Sequence, residues 1–96
     1  MSHWSSEETA ERALSYLHER RDEHGEVEAS LQEIAEALHN GRMTAQRAIR
    51  RLIDGNAVSV SRRGNGPLYP TCYRVLRDPN ERVLRRARRL GARAAA

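Results

Sequence analysis

The amino-acid sequence predicts one small domain of the α+β class that is mostly α-helical. Three observations carry this prediction. Three stretches repeat their apolar residues at the helical period, and two of them follow a serine that can start a helix. Two short stretches suited to β-strands flank a glycine-rich turn, as in a β-hairpin. A length of 96 residues with one Trp, three Tyr and no Phe allows a single domain with an aliphatic core.

The first helix is expected to begin at Ser5 or Ser6. Ser5 and Glu8 have the spacing of a capping box, and Gly25 suits the end of the helix. The stripe that this helix would bury consists of Ala10, Ala13, Leu14 and Leu17. Its opposite face is rich in Glu and Asp, which would repel DNA, so the helix is predicted to be scaffold.

A second helix is expected to follow Ser30, which forms another capping box with Glu33. Its apolar stripe would be Leu31, Ile34, Ala35 and Leu38. Asn40 and Gly41 are predicted to end it, because both residues tolerate the left-handed conformation. Residues 27–29, just before this helix, are long enough only for a brief strand.

Residues 44–54 are predicted to form a third helix with two unlike faces. The apolar arc contains Ala45, Ala48, Ile49, Leu52 and Ile53. The polar remainder contains Thr44, Gln46, Arg47, Arg50, Arg51 and Asp54. Only residues 40–43 separate this helix from the second, which is the spacing of a helix-turn-helix. Taken alone, the stretch is more typical of an ordinary amphipathic surface helix.

A β-hairpin is expected after the third helix, which Gly55 and Asn56 should stop. Val58 and Val60 alternate with serines in a half-buried strand, and a return strand is predicted over residues 71–76. Between them lies a glycine-rich turn with two arginines at its entrance, residues 62–67. The predicted hairpin therefore has a basic, flexible end.

Residues 78–96 are predicted to form a basic amphipathic helix with a frayed tail, outside a main domain of residues 1–77. Asp78 would be the N-cap and Pro79 the first helical residue. The apolar stripe would be Val83, Leu84, Ala87, Leu90 and Gly91. Such a helix could lie on an anionic membrane, fill a partner's groove or add DNA contacts. Packing against the first helix is favoured, within one molecule or between the two copies of a homodimer.

Charge is divided unequally along the chain. Residues 1–41 contain ten acidic residues and three Arg, a net charge of −7, whereas residues 42–96 contain fourteen Arg and three acidic residues, a net charge of +11. The basic half favours a polyanionic partner. All seventeen basic residues are Arg, which we attribute to codon usage and not to function.

The sequence does not favour catalysis, a metal or a cofactor. The four histidines share no metal-ligand spacing, and residues 64–66 lack the spacing of a phosphate-binding loop. Cys72 is expected to be a small buried apolar residue, and as the single cysteine it cannot form an internal disulfide. No signal sequence and no run of about 18 apolar residues is present, so a cytoplasmic protein without a membrane span or a small-molecule domain is expected.

Residues 41–52, together with Gly55, Val58 and the glycine-bearing hairpin, resemble winged helix-turn-helix regulators. The resemblance extends to the DNA-binding domain of GntR-type bacterial repressors, in which S-R-x-T-V-x-R-A-L-x-x-L starts the recognition helix. Here Gly41 stands in place of that Ser, and the wing, RRGNGPLYP, differs from the shorter GntR tip. The resemblance implies a three-helix core with a β-hairpin wing, to which this chain adds a C-terminal helix. It also implies that Arg42, Thr44, Gln46 and Arg47 face DNA bases or phosphates.

We therefore predict a sequence-specific protein that binds double-stranded DNA, as a small bacterial, plasmid or phage transcriptional regulator. Helix 44–54 would enter the major groove, and the wing, residues 62–67, would lie on the backbone or in the minor groove. The candidate DNA-binding residues are Arg42, Thr44, Gln46, Arg47, Arg50, Arg51, Arg62, Arg63 and Asn65. Gln46 and Arg47 are the expected base readers, and Arg51, with Arg50 beside it, is an expected phosphate ligand. Two alternatives remain: a protein-docking winged helix, or an accessory DNA-binding factor in plasmid replication, partition or recombination.

Overall fold

The computed structural model of the chain describes residues 5–66, 68–86 and 88. In chain order they form helix α1 (Ser6–Arg20), strand β1 (Glu26–Ala29), helix α2 (Leu31–Leu38), helix α3 (Arg42–Asp54), strand β2 (Val58–Arg62) and strand β3 (Thr71–Val75). Residues 81–86 and 88 are also helical. The predicted small, mostly helical α+β fold is confirmed. None of the helices in these described ranges is long and apolar enough to cross a membrane.

Serine side chains start α1 and α2 where the sequence predicts. Ser5 Oγ accepts a hydrogen bond from the backbone N–H of Glu8 at 3.1 Å, and Ser30 Oγ accepts one from Glu33 at the same distance. These bonds satisfy amide groups that have no partner inside the helix. The prediction for the end of α1 was wrong, because Gly25 lies beyond the helix with a φ of 77°, in the turn that leads into β1.

The turn between α2 and α3 also differs from the prediction. His39, and neither Asn40 nor Gly41, adopts the left-handed conformation, with φ 55° and ψ 41°. Leu38 is the last buried residue of α2, and the chain turns directly after it. Gly41 is the N-cap of α3, which begins at Arg42 and not at residue 44. The two helices are therefore joined by only three residues, 39–41.

The strands form one antiparallel sheet in the order β1-β3-β2. The brief strand expected at residues 27–29 is real, and Val27 lies opposite Tyr73 of β3. The predicted hairpin is formed by β2 and β3, in which Val60 also lies opposite Tyr73. These three side chains share the face of the sheet that packs towards the helices, and the alternate residues form the outer face.

The core lies between the three helices and the inner face of the sheet. The predicted stripes of α1, α2 and α3 all reach it, although Leu31 and Ile53 are only partly buried. The buried members from the helices are Ala10, Ala13, Leu14, Leu17, Ile34, Ala35, Leu38, Ala45, Ala48, Ile49 and Leu52. Tyr73 is the aromatic residue of this cluster, and its burial raises the pKa of its phenol.

Residues 77–80 are fastened to α1 by a buried carboxylate. Glu11 is only 4% exposed and accepts hydrogen bonds from both terminal nitrogens of Arg77, at 2.9 and 2.6 Å. It also accepts the backbone N–H of Asn80 at 2.7 Å. Burial raises the pKa of Glu11, but the hydrogen bonds from Arg77 and Asn80 and the charges of Arg77 and Arg51 outweigh it, so that the pKa is lowered overall. The segment that leads to the C-terminal helix thus packs on α1 of the same chain.

The final helical segment begins later than predicted. Asn80, and not Asp78, is its cap, because Asn80 Oδ1 accepts the backbone N–H groups of Arg82 and Val83 at 3.1 and 3.4 Å. Asp78 Oδ1 instead lies 3.0 Å from Nε2 of His18 in α1. Of the predicted stripe, Val83 and Leu84 are buried. The remaining stripe positions, Ala87, Leu90 and Gly91, and the predicted frayed tail lie outside the described residues.

Candidate nucleic-acid interface

An open groove of about 630 Å³ lies between α3 and the β2–β3 hairpin. We call it the α3–hairpin groove. One wall is formed by Arg42, Met43, Gln46 and Arg50 of α3, and the other by Arg63, Gly64 and Gly66 of the hairpin. Its base includes Ile49, Ile53, Val60 and Tyr73. The predicted third helix and the predicted hairpin therefore meet at one surface, which local sequence patterns could not establish.

The buried face of α3 determines how its polar residues are distributed. Because the helix packs through Ala45, Ala48, Ile49 and Leu52, three candidate residues follow one another along the flank nearest the hairpin. These are Arg42, Gln46 and Arg50. Arg47 and Arg51 are exposed but do not line the groove, and Thr44 is half-buried. Arg51 lies on the side of α1, where its charge acts on Glu11.

A β-bulge separates the two arginines at the start of the hairpin turn. Val60 lies opposite Tyr73 and Arg62 lies opposite Cys72, so Ser61 is an extra residue in β2. Without the bulge, strict alternation would send Arg62 to the inner face with Val60. The bulge instead places Arg62 on the outer face of the sheet.

Arg62 and Arg63 consequently occupy different surroundings. Arg62 Nη2 is 2.7 Å from Glu28 Oε1 on the outer face, away from the α3–hairpin groove. Arg63 lines that groove. Asn65 is exposed in the turn. Of the three hairpin residues predicted to contact DNA, Arg62 already has an acidic partner, and Arg63 is the arginine that faces the groove.

The hairpin turn is braced by a close backbone approach at Gly64. A Cβ atom at this position would lie 2.5 Å from the carbonyl oxygens of both Tyr69 and Pro70. The backbone N–H of Gly64 donates to Thr71 Oγ1 at 3.0 Å. A glycine is therefore required for the two sides of the turn to approach this closely.

The end of the hairpin carries two exposed apolar side chains that the sequence analysis did not single out. Leu68 is 69% exposed and Tyr69 is 63% exposed. Residues 64–70 contain no charged residue. The signal that could have identified them is the presence of two large apolar residues directly after the predicted turn, in a connecting segment where polar residues are usual.

Met43 and Asp54 also line the groove, and neither was predicted as a contact. Met43, in the first turn of α3, is 65% exposed and lies beside Arg42. Asp54 puts an acidic group at the C-terminal end of α3.

Several arginines around this groove have no acidic partner. Other parts of the fold pair arginine with glutamate, in Arg62–Glu28, Arg74–Glu26 and Arg77–Glu11. Across residues 5–66, 68–86 and 88, no ion pair includes the arginines on the exposed face of α3 or in the groove. Those arginines are Arg42, Arg47, Arg50 and Arg63, together with Arg51 on the side of α1. Their charge is available to an external anion.

The outer face of the sheet offers no comparable surface. Cys72 is half-buried there and not fully buried as predicted, and its Sγ donates to Glu26 Oε2 at 3.3 Å. Burial and this hydrogen bond raise the pKa of the Cys72 thiol, which disfavours the reactive thiolate. Within the described part of the chain, no group of three or more His, Cys, Asp or Glu is arranged to hold a metal ion.

Comparisons with known proteins identify no relative of this chain. No protein-family model matches the chain, and no curated protein or solved structure is significantly similar to it.

Proposed function

We propose that this protein binds double-stranded DNA through the α3–hairpin groove and the exposed face of α3. The observation that carries the proposal is the grouping at one surface of four arginines that have no acidic partner, Arg42, Arg47, Arg50 and Arg63. An arginine that faces solvent without a partner can bind a phosphate without first breaking an ion pair. Three of the four line one groove, as continuous contact with a DNA backbone requires.

The dimensions and chemistry of α3 support its insertion into the major groove. A helix of 13 residues is about 20 Å long, and the major groove, about 12 Å wide, accepts an α-helix. Gln46 can form two hydrogen bonds to an adenine edge, and Arg47 can do so with a guanine. Their exposure supports the assignment of both as base contacts, with Arg50 held closer to the hairpin.

The order of elements supports a winged-helix interpretation. Helices α2 and α3, joined by three residues, would be the helix-turn-helix, and the β2–β3 hairpin beside them would be the wing. On this interpretation the protein is a small bacterial, plasmid or phage regulator. A role in plasmid replication, partition or recombination would use the same surface, and the genes next to its own would distinguish these roles.

Fluorescence anisotropy with labelled duplexes tests the proposal. We expect binding to a mixed-sequence duplex at low salt, with log K falling linearly as log salt rises by about 0.9 per phosphate contacted. Replacement of Arg42, Arg50 and Arg63 by Ala should abolish most of this binding. A matched variant with Arg20, Arg21 and Arg74 replaced by Ala loses the same charge elsewhere and should bind nearly as well. Equal losses in the two variants, or no binding by the unaltered protein, would reject the proposal.

A selection of bound sequences from a random duplex pool tests sequence specificity. We expect a consensus, and if the protein acts as a dimer the consensus should be a palindrome. Recovery of unenriched sequences would indicate binding through phosphates alone.

A protein-docking function is the second candidate. It is favoured by the exposure of three large apolar side chains on α3 and the hairpin, namely Met43, Leu68 and Tyr69. The absence of DNA binding at low salt and high protein concentration would support this candidate instead.

A further inference from the structure

We propose that Leu68 and Tyr69 form an apolar wedge that inserts between base pairs in the minor groove and bends the bound DNA. This inference rests on the proposed DNA-binding function and assigns a distinct role to the end of the hairpin. The other contacts between the hairpin and DNA, such as that of Arg63, would hold the duplex while the wedge opens one base step.

The chemistry of the hairpin changes between its root and its tip. At the root, Arg63 lines the α3–hairpin groove while Arg62 is held on the opposite face by Glu28. The tip, residues 64–70, has no charged side chain with which to hold a phosphate. Its largest exposed groups are the side chains of Leu68 and Tyr69. The root is therefore suited to the backbone and the tip to the apolar faces of bases.

The tip is held in place by the rest of the hairpin. Gly64 lies against the carbonyl groups of Tyr69 and Pro70 and donates to Thr71, and Tyr69 N–H donates to the Gly66 carbonyl at 3.3 Å. These contacts fix the backbone of the turn while the apolar side chains remain in solvent. A side chain held in advance in an exposed position loses little conformational entropy when it binds.

The size and position of this patch favour DNA over a protein partner. A specific protein interface uses about 20–30 residues on each side, whereas a wedge that unstacks a base step needs only one or two side chains. Leucine is a typical wedge residue, and the ring of tyrosine can stack on a base. The patch also lies at the tip of the hairpin whose root contributes Arg63 to the α3–hairpin groove.

Two measurements test the wedge. End-to-end energy transfer on a duplex of about 30 base pairs reports bending, and 2-aminopurine placed at successive positions reports unstacking. We expect the unaltered protein to bend the duplex by roughly 20–90° and to increase 2-aminopurine fluorescence at one localised step. The double variant Leu68→Ala/Tyr69→Ala should still bind but should lose both signals.

Leu76→Ala is the matched control. Leu76 is another exposed large apolar residue, 49% exposed, but it follows β3 at the opposite end of the sheet, where its N–H donates to Ala57. This variant should bend DNA as the unaltered protein does. DNA binding without a bend, or a bend that persists in the double variant, would overturn the wedge while leaving DNA binding intact.

Discussion

Arg62 of β2 reaches across the middle strand of the sheet to Glu28 of β1, with Nη2 and Oε1 2.7 Å apart. Its neighbour Arg63 lines the α3–hairpin groove. The bulge in β2 sends these adjacent residues to opposite faces, so one arginine is neutralised locally and the other is not. Two residues that are equivalent in sequence are therefore expected to differ in function.

The first prediction compares these two arginines. Arg63→Ala should weaken DNA binding and reduce the slope of log K against log salt by about one, because a phosphate contact is lost. Arg62→Ala removes an exposed ion pair worth about 0–1 kcal/mol of stability and should change the slope little. Salt titrations of both variants by anisotropy measure the difference. A larger change of slope in Arg62→Ala than in Arg63→Ala would contradict this assignment.

The second prediction concerns the neighbours Arg50 and Arg51 on α3. Arg50 lines the groove, whereas Arg51 lies on the side of α1, where its charge acts on Glu11. Arg50→Ala should therefore weaken binding to a selected and to a random duplex about equally, as the loss of a phosphate contact does, and Arg51→Ala should weaken it clearly less. Binding isotherms on a selected duplex and on a random duplex provide the measurement. The reverse order would contradict the role given to Arg50 and support Arg51 as a phosphate ligand.

The third prediction concerns acid stability and Glu11. Its lowered pKa means that folding favours the ionised form, so its contribution is fully present above the ordinary pKa of 4.5 and declines as the pH falls below it. Glu11→Gln should lower the free energy of unfolding by about 1–3 kcal/mol at neutral pH, because Arg77 and Asn80 lose a charged acceptor. Since Arg77 is partly exposed, the loss should be smaller than for a fully buried pair.

Urea denaturation of both forms at several pH values measures this effect. The difference between the unaltered protein and Glu11→Gln should shrink as the pH falls below 4.5. Other carboxylates with lowered pKa values contribute equally to the stability of both proteins, so their contribution drops out of the difference. Asp22 is one of them, because its hydrogen bonds from the Glu26 and His24 amides are unaffected by the substitution. A difference that did not depend on pH would mean that Glu11 acts through packing and not through charge.

The fourth prediction is a stabilising substitution at the turn between α2 and α3. His39 adopts a left-handed conformation, which costs a residue with a Cβ about 1–2 kcal/mol. His39→Gly should remove this strain, for a net gain of roughly 0.5–1 kcal/mol after the entropy of glycine in the unfolded chain is included. His24→Gly is the control, since φ is not positive at His24, and it should not stabilise the fold. The midpoints of urea unfolding measure both effects, and a midpoint for His39→Gly that is no higher than that of the unaltered protein would contradict the prediction.

The fifth prediction concerns the brace of the hairpin. Gly64→Ala would place a Cβ 2.5 Å from two backbone carbonyl oxygens, so the turn must reorganise at a cost of about 1–3 kcal/mol. Gly41→Ser is the comparison, because no atom lies within 4 Å of a Cβ there and a serine could cap α3. Amide NMR spectra should change mainly at the hairpin in the first variant, whereas the second should remain folded with slightly higher stability. An unchanged hairpin in Gly64→Ala would contradict the required close approach.

Local chemistry made much of the fold predictable. Ser5 and Ser30 each accept the amide three residues later, and the apolar stripes of three helices are buried as their spacing predicts. The boundaries were less predictable where tertiary contacts compete with local preference. The sequence around Asp78 is typical of an N-cap, but its side chain lies against His18 of α1. The helix starts after Asn80 instead.

The candidate site was predictable in composition but not in arrangement. The polar face of α3 and the basic start of the hairpin turn are visible in the sequence. The separation of Arg62 from Arg63 was not, because a β-bulge depends on pairing between distant strands. Nor could the sequence reveal that Leu68 and Tyr69 remain exposed, since the burial of an apolar residue depends on what packs against it.

The sequence by itself determined the helices, the hairpin and the charge difference between the two halves, because periodicity, capping and net charge are properties of neighbouring residues. Only the tertiary structure decided which arginines are neutralised. Glu28 and Glu11 lie far along the chain from Arg62 and Arg77, and the sheet and the packing on α1 bring them within hydrogen-bonding distance. That pairing leaves Arg42, Arg50 and Arg63 around the α3–hairpin groove without acidic partners.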